Sequence, residues 1–96
     1  MNMSLLRDFQ DTCEQCNEPS VGLQPHGRNG EWICITCVAE DAERVSTIVV
    51  DTIAKAIGQD ITKASHPQVY DEAAQNLRIK GIQHLMARQA YKAQLN

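Results

Sequence analysis

The spacing of apolar residues predicts a first helix over residues 38–57. Apolar side chains recur there at intervals of three and four residues, which places them along one face of an α-helix. They are Val38, Ala42, Val45, Val49, Ile53, Ala56 and Ile57. Glu40, Asp41 and Glu43 fall in the first turns, where negative charge favours the helix amino terminus. Gly58 is a typical residue for the carboxyl-terminal end.

The same spacing predicts a second helix over residues 67–94. Its apolar positions are Val69, Tyr70, Ala73, Ala74, Leu77, Gly81, Ile82, Leu85, Met86 and Ala90. Ser65 and Pro67 suit a helix start, because serine caps free amides and proline is tolerated in the first turn. Glycine at position 81 disfavours the helix by about 1 kcal/mol relative to alanine. Three interpretations of Gly81 are open, namely close helix packing, a kink or no special role.

Short strands and turns are predicted before the first helix. Residues 21–24 and 31–34 have strand composition, and an Asn-Gly turn lies between them. On such a strand Trp32 shares a side with Cys34, so its ring either shields that side or anchors a small core. Together with the helices, this predicts a mainly α fold, in which a small β-hairpin precedes two long helices that form an antiparallel hairpin.

The length of the chain bounds its architecture. Ninety-six residues, 43% of them hydrophobic, predict a single domain over residues 1–96. Within it we expect an arm at residues 1–12, a finger at residues 13–37 and the two helices. The sequence shows neither a long apolar run nor a secretory signal, which predicts a cytoplasmic, reducing setting and no membrane span. A domain this small often gains stability from a metal or from oligomerisation.

The four cysteines carry the candidate chemistry. Cys13 and Cys16 form one C-x2-C pair, and Cys34 and Cys37 form a second pair after seventeen intervening residues. Two such pairs at this spacing predict one structural Zn²⁺ per chain, held by four thiolates. A knuckle at the first pair, a hairpin and a helix that carries the second pair predict a treble-clef-like finger.

Two other uses of the cysteines compete with zinc. Two disulfides require an oxidising compartment, and the missing export signal argues against one. A thioredoxin-like redox pair requires a βαβ context, which this sequence does not show. A four-cysteine shell leaves no open position for a substrate, and no serine, histidine and acid constellation is recognisable. We therefore expect a protein that is not an enzyme.

Charge is distributed unevenly along the chain. The formal net charge is −3, which gives little non-specific attraction to phosphate backbones. Residues 73–96, in contrast, carry no acid and four cations, namely Arg78, Lys80, Arg88 and Lys92. These cations form either a solvated helix face or a patch that binds nucleic acid or an acidic protein surface. Aromatic residues make up 4% of the chain, too few for a base-stacking platform.

Two stretches around the cysteines carry a family resemblance. Thr12-Cys-Glu-Gln-Cys-Asn-Glu-Pro19 and Trp32-Ile-Cys-Ile-Thr-Cys37 resemble the zinc finger of the DksA/TraR family, small bacterial, plasmid and phage proteins that bind RNA polymerase. The resemblance covers residues 12–40 and implies that the four cysteines are zinc ligands. Family members place a coiled coil with an acidic tip before the finger. Here the long helices follow the finger, so insertion of such a tip near catalytic magnesium is not expected.

Several functions are consistent with this architecture. The leading hypothesis is a small regulatory or adaptor protein, phage- or plasmid-encoded, that binds a larger machine such as RNA polymerase or another host complex. The alternatives are a nucleic-acid-binding module that uses the basic C-terminal helix, and a phage-type inhibitor of a host defence complex. The finger and helices cannot bury every apolar face, so a homodimer or a partner complex competes with a monomer. Leu5, Leu6 and Phe9 are expected to cover part of the remaining face.

Overall fold

A computed structural model describes residues 8–95 of the chain. Its elements are, in order, β1 (Asp11–Thr12), β2 (Pro19–Ser20), α1 (Ile35–Glu40), α2 (Ala42–Ala56) and α3 (Pro67–Leu95). The predicted fold class, mainly α with a small antiparallel β-hairpin, is confirmed. None of the helices in this part of the chain is long and apolar enough to cross a membrane.

The β-hairpin lies earlier in the chain than predicted. β1 and β2 pair antiparallel on either side of the first cysteine pair. The strands predicted at residues 21–24 and 31–34 are wrong, because these segments are joined by an isolated bridge between Gln24 and Ile33. The residues between them close a turn of their own, and α1 begins directly after Cys34, so the ladder has no room to extend.

The position of Trp32 follows from the missing strand. Its side chain is 51% exposed, so it neither shields the cysteines nor anchors the core. The Trp32 amide donates to Glu14 Oε1 at 2.7 Å, and the Glu14 amide donates to the Trp32 carbonyl at 3.0 Å. Because residue 32 does not lie in a strand, the alternation of side chains between two faces does not apply to it. The neighbouring Ile33 is buried instead.

The predicted first helix, residues 38–57, is in fact two helices. α1 begins earlier, at Ile35, and the chain leaves helical geometry at Asp41, which has φ −122° and ψ 36°. The Asp41 carboxylate pairs with Arg28 at 3.0 Å and with Arg44 at 2.6 Å. Asp41, at the break, therefore connects Arg28 of the finger with Arg44 of α2. The spacing of apolar residues cannot predict this long-range contact.

Gly58 ends α2, as the sequence predicts. It has φ +72°, a conformation that glycine adopts without steric cost. The Gly58 amide donates to the Lys55 carbonyl at 3.2 Å, and the Gln59 amide donates to the Ala54 carbonyl at 2.9 Å. These two bonds form a Schellman motif, which satisfies the last carbonyls of the helix and turns the chain toward α3.

α3 is the longest helix, and it packs against both α1 and α2. It matches the predicted second helix, residues 67–94, to within one residue at its carboxyl end. Its contacts run in the reverse order of the chain, since Tyr70 donates a hydrogen bond to Asp51 of α2 and Gly81 lies against Ala39 of α1. α3 is therefore antiparallel to the segment formed by α1 and α2, and it continues beyond them to the finger.

The start of the described chain covers the far end of α3. Phe9 is buried, and its ring stacks on Tyr91 with 4.7 Å between the ring centroids. Phe9 thus covers part of the apolar face, as expected, whereas Leu5 and Leu6 lie outside the described residues. The buried apolar side chains are Phe9, Cys13, Ile33, Cys34, Cys37, Val38, Ala42, Val45, Ala54, Tyr70 and Ala74.

Gly81 marks close helix packing, the first of its three predicted meanings. A Cβ at this position would lie 2.3 Å from the Ala39 Cβ, far inside contact distance. The Gly81 carbonyl also accepts a hydrogen bond from Thr36 Oγ1 at 3.2 Å. The backbones of α1 and α3 approach each other this closely because residue 81 has no side chain.

We expect Gly81→Ala to lower the free energy of unfolding by about 1–3 kcal/mol, because the added methyl group overpacks the contact between α1 and α3. Helix propensity alone predicts the opposite sign, a gain of about 1 kcal/mol. Chemical denaturation measures the change. Adding Ala39→Gly should restore part of the loss, since it removes the atom that the new Cβ meets. A stabilised single variant would contradict the close contact.

Candidate metal centre

The first cysteine pair lies in a tight turn that follows β1. The Asn17 amide donates to the Cys13 carbonyl at 2.9 Å, and the Cys13 amide donates to the Glu18 carbonyl at 3.0 Å. Asn17 has φ +60°, a conformation that asparagine adopts more readily than most residues. The turn brings Cys13 and Cys16 together at its centre and forms the predicted knuckle.

The second cysteine pair lies at the start of α1. Cys34 is the residue that precedes the helix, and Cys37 lies in its first turn. The backbone bridge between Gln24 and Ile33 holds the chain just before this start, with amide–carbonyl distances of 2.8 Å in both directions. A loop knuckle and a helix start therefore supply one pair of sulfurs each.

The four predicted ligands form one group, called here the cysteine cluster. The Sγ atoms of Cys13 and Cys37 are 3.7 Å apart, those of Cys16 and Cys34 are 3.9 Å apart, and all four lie within 4.8 Å of one another. An ion bound tetrahedrally at about 2.3 Å from each sulfur gives edges of about 3.8 Å. All four residues are free thiols, far from the bonding distance of about 2.05 Å in a disulfide. The cysteine cluster can therefore hold one tetrahedral metal ion.

Backbone amides stabilise negative charge on the Cys13 sulfur. The amides of Gln15, Cys16 and Cys34 point to this atom at 3.3, 3.4 and 3.3 Å. Burial by itself raises the pKa of the Cys13 thiol, but the three donors outweigh burial and lower the pKa to about 6. Cys13 is therefore ready to bind a cation as a thiolate at neutral pH.

The cysteine cluster does not ionise as a whole without a cation. Burial raises the pKa of the Cys37 thiol far above its usual range, and the neighbouring cysteines add to the rise. Burial also raises the pKa of the Cys16 thiol. A bound divalent cation reverses this, because it favours the thiolate form of each sulfur ligand. Protons and metal ions therefore compete for the cluster.

Arg88 of α3 reaches the cysteine cluster from outside the finger. Its Nη2 atom donates to the Cys34 Sγ atom at 3.2 Å, and its Nε atom donates to the Pro19 carbonyl at 2.8 Å. Burial alone would lower the pKa of Arg88, but the sulfur contact outweighs burial and raises it. Arg88 is 5% exposed, so it lies neither on a solvated helix face nor on an exposed cation patch.

The four predicted cations thus separate into two pairs. Lys92, like Arg88, faces the finger, where its ion pair with Glu18 lowers the pKa of that carboxyl group. Arg78 and Lys80 are exposed on α3. The sequence alone could not separate the two pairs. Arg88 is bound by a sulfur atom and a backbone carbonyl, and neither partner can be identified from the charges along the chain.

His84 joins three segments and was missed by sequence reasoning. The Val21 amide donates to His84 Nε2 at 3.3 Å, and Nδ1 lies 3.0 Å from Thr36 Oγ1. Because a backbone amide can only donate, Nε2 accepts and Nδ1 carries the proton of the neutral ring. The available signal was spacing, since His84 lies three residues after Gly81 and four before Arg88, on the same face of the helix.

No family model, no curated protein and no solved structure matches this chain. The class of site is therefore defined by geometry alone, as a four-cysteine cluster of the zinc-finger kind that can hold a metal ion. The resemblance to the DksA/TraR family rests on the finger residues and has no further support from these comparisons. A shell of four sulfurs has no open position, which suits a structural ion rather than a catalytic one.

Native mass spectrometry of protein purified without added metal is expected to show one divalent metal ion per chain. Chelation should remove the ion and much of the helical circular dichroism signal, because so small a finger depends on its metal to fold. Cys37→Ser should abolish stable binding, whereas Thr12→Ser, an exposed change beside the knuckle, should not. A metal-free mass short by two hydrogens per cysteine pair would instead show disulfides and contradict the site.

His84 makes stability depend on pH. Burial, aided by the positive charge of Arg88, lowers the pKa of His84 in the folded protein. The unfolded chain therefore binds this proton more readily, and stability falls as the pH drops through the ordinary histidine pKa of about 6.5. The loss levels off once the pH is below the lowered pKa of the folded state.

Denaturation in excess metal at a series of pH values tests this dependence. Between about pH 7.5 and about pH 5.5 the wild-type protein should lose stability more steeply than His84→Gln, which cannot be protonated. His66→Gln, a change outside the core, should keep the wild-type slope. Equal slopes for the wild type and His84→Gln would contradict the role of the buried ring.

Proposed function

We propose that this chain is a small zinc-stabilised regulatory adaptor that binds a larger protein machine. Zinc suits the cysteine cluster because it takes four thiolates in tetrahedral geometry at structural sites. The cluster consists of sulfur donors, which disfavours Mg²⁺ and Ca²⁺ and leaves iron as the competing thiolate-bound metal. Elemental analysis of the purified protein separates zinc from iron.

The observation that carries the adaptor proposal is an exposed apolar surface on α3. Ile79, Ile82, Leu85 and Met86 are 45%, 60%, 41% and 64% exposed, and their spacing of three and four residues groups them on one side of α3. We call this side the outer face of α3. Grouped apolar side chains, unlike scattered ones, mark sites where a protein binds another protein.

A groove of about 340 Å³ lies beside the outer face of α3. α1 supplies Ala39 to its lining, and α3 supplies Gly81, Ile82 and Leu85. Its lining is mostly apolar, so it suits the apolar side chains of a helix or an extended segment from a protein partner. The groove and the outer face share Ile82 and Leu85, so one partner can contact both.

The same geometry favours a protein partner over nucleic acid. Arg88 is buried at the cysteine cluster and Lys92 is paired with Glu18. Two of the four cations on which a phosphate-binding helix would rely therefore face the finger. The outer face of α3 is apolar, whereas binding to a nucleic acid backbone depends on cations that neutralise phosphates.

The finger resemblance selects the first partner to test. Residues 12–40 resemble the DksA/TraR finger, so bacterial RNA polymerase is the leading candidate, and a host defence complex is the second. Contact would occur through the outer face of α3 rather than through an acidic tip. An adaptor of this kind carries out no reaction of its own, and the expectation that the chain is not an enzyme remains a prediction.

Binding of the zinc-loaded chain to purified bacterial RNA polymerase tests the proposal. Ile82→Glu should weaken binding at least about tenfold, because it places a charge at the centre of an apolar interface. Gln68→Glu adds the same charge to an exposed position in the first turn of the same helix, about four turns from Ile82, and should leave the affinity unchanged. Circular dichroism of both variants controls for folding.

Other outcomes would assign a different role to the outer face of α3. Absence of binding would overturn polymerase as the partner, and equal losses for Ile82→Glu and Gln68→Glu would overturn the outer face as the contact. Affinity for nucleic acid that falls steeply with salt and is lost on neutralising Arg78 and Lys80 would favour the nucleic-acid alternative. A dimer in the native mass spectrum that Ile82→Glu dissociates would assign the face to a second copy of the chain.

A further inference from the structure

Arg88 is a buried cation that donates a hydrogen bond to a sulfur atom. Arginine is almost never fully buried without a partner, and no carboxylate in residues 8–95 lies within ion-pair distance of Arg88. Its partners are the Cys34 Sγ atom at 3.2 Å and the Pro19 carbonyl at 2.8 Å. The negative charge that balances Arg88 must therefore come mainly from the cysteine cluster.

The charge of a filled site supplies that balance. Four thiolates around one divalent ion carry a net charge of −2, and a buried charge of this size is costly unless cations or hydrogen-bond donors face it. The three amides at the Cys13 sulfur face one part of the site. The guanidinium of Arg88 faces the Cys34 sulfur and carries a full positive charge.

We propose that Arg88 is the counter-cation of the metal centre, and that it makes metal binding and the docking of α3 onto the finger one linked equilibrium. The inference rests on the zinc site of the proposed function and adds a residue of α3 to the surroundings of that site. Because such coupling is reciprocal, docking of α3 strengthens metal binding by the same factor by which the metal strengthens docking.

The position of Arg88 in α3 gives this coupling a consequence for the partner surface. Arg88 contacts both halves of the finger, through Pro19 of β2 and through Cys34 at the start of α1. Leu85 and Met86 of the outer face lie within one turn of Arg88 on the same helix. Loss of the metal weakens the Arg88 contact, one of the anchors of this turn beside His84, so metal occupancy affects how firmly the helix that carries the outer face is docked.

Metal affinity of Arg88 variants, measured by competition with a chromophoric chelator, tests the coupling. Arg88→Met keeps much of the aliphatic length but removes the charge and the donors, and it should weaken zinc binding about 10–100-fold, the range for lost outer-shell partners. Arg88→Lys keeps the charge and loses the planar fork, so it should fall between Met and wild type. Arg78→Met removes the same group from the exposed part of α3 and should bind zinc like the wild type.

Cobalt substitution provides a second readout at the metal itself. Loss of the hydrogen bond to a coordinating sulfur should shift the sulfur-to-metal charge-transfer bands of Co²⁺-loaded Arg88→Met relative to Arg78→Met. Equal zinc affinities and equal cobalt spectra for these two variants would overturn the proposal. If Arg88→Met does not fold, the comparison of Arg88→Lys with Arg78→Lys carries the same test.

Failure of this inference differs from failure of the proposed function. A wild-type chain that takes up no zinc would overturn the metal site and the coupling together. A wild-type chain that binds zinc tightly, with Arg88 variants that bind it equally well, would overturn the coupling alone. Polymerase binding enters neither measurement, so the choice of partner does not affect the result.

Discussion

The contact between Arg88 and the Cys34 sulfur joins α3 to the finger, and the proposed link between metal binding and the packing of this helix depends on it. A finger of this size buries too few apolar side chains to be stable alone, and a single long helix gains little from its own hydrogen bonds in water. Joined, they share one core, in which Leu77 of α3 packs against a buried group that contains the cysteines and Val38. The close approach at Gly81 lets α3 lie near enough for the contact to form.

The polar contacts around this junction explain why the site suits a structural ion. Amides from the knuckle and from the start of α1 face the Cys13 sulfur, Arg88 faces Cys34, and the neutral His84 links the knuckle side to Thr36. The amides and Arg88 supply donors and a charge where a metal-bound thiolate cluster needs them, and the two His84 contacts hold α3 beside α1. The same contacts hold the helix that presents the exposed outer face, so the cysteine cluster and the outer face of α3 belong to one packed unit.

Features determined by neighbours in the chain were predictable from the sequence. The two C-x2-C pairs, the end of the first helical region at Gly58 and the extent of α3 follow from spacing and local propensity. Features determined by distant contacts were not. The helix break at Asp41 involves Arg28 of the finger, and the burial of Arg88 depends on Cys34, fifty-four residues away in the chain. Local patterns carry no signal for either contact.

Amide hydrogen exchange of the wild-type protein before and after chelation tests the central claim most directly. The claim that one metal ion holds the finger and α3 together predicts that chelation removes protection from the finger and from the part of α3 around Arg88 at the same time. That part includes Gly81, His84 and Arg88, which contact α1 and the finger. Protection of α3 that survives chelation unchanged would contradict the account, because the helix would then be held without the metal centre.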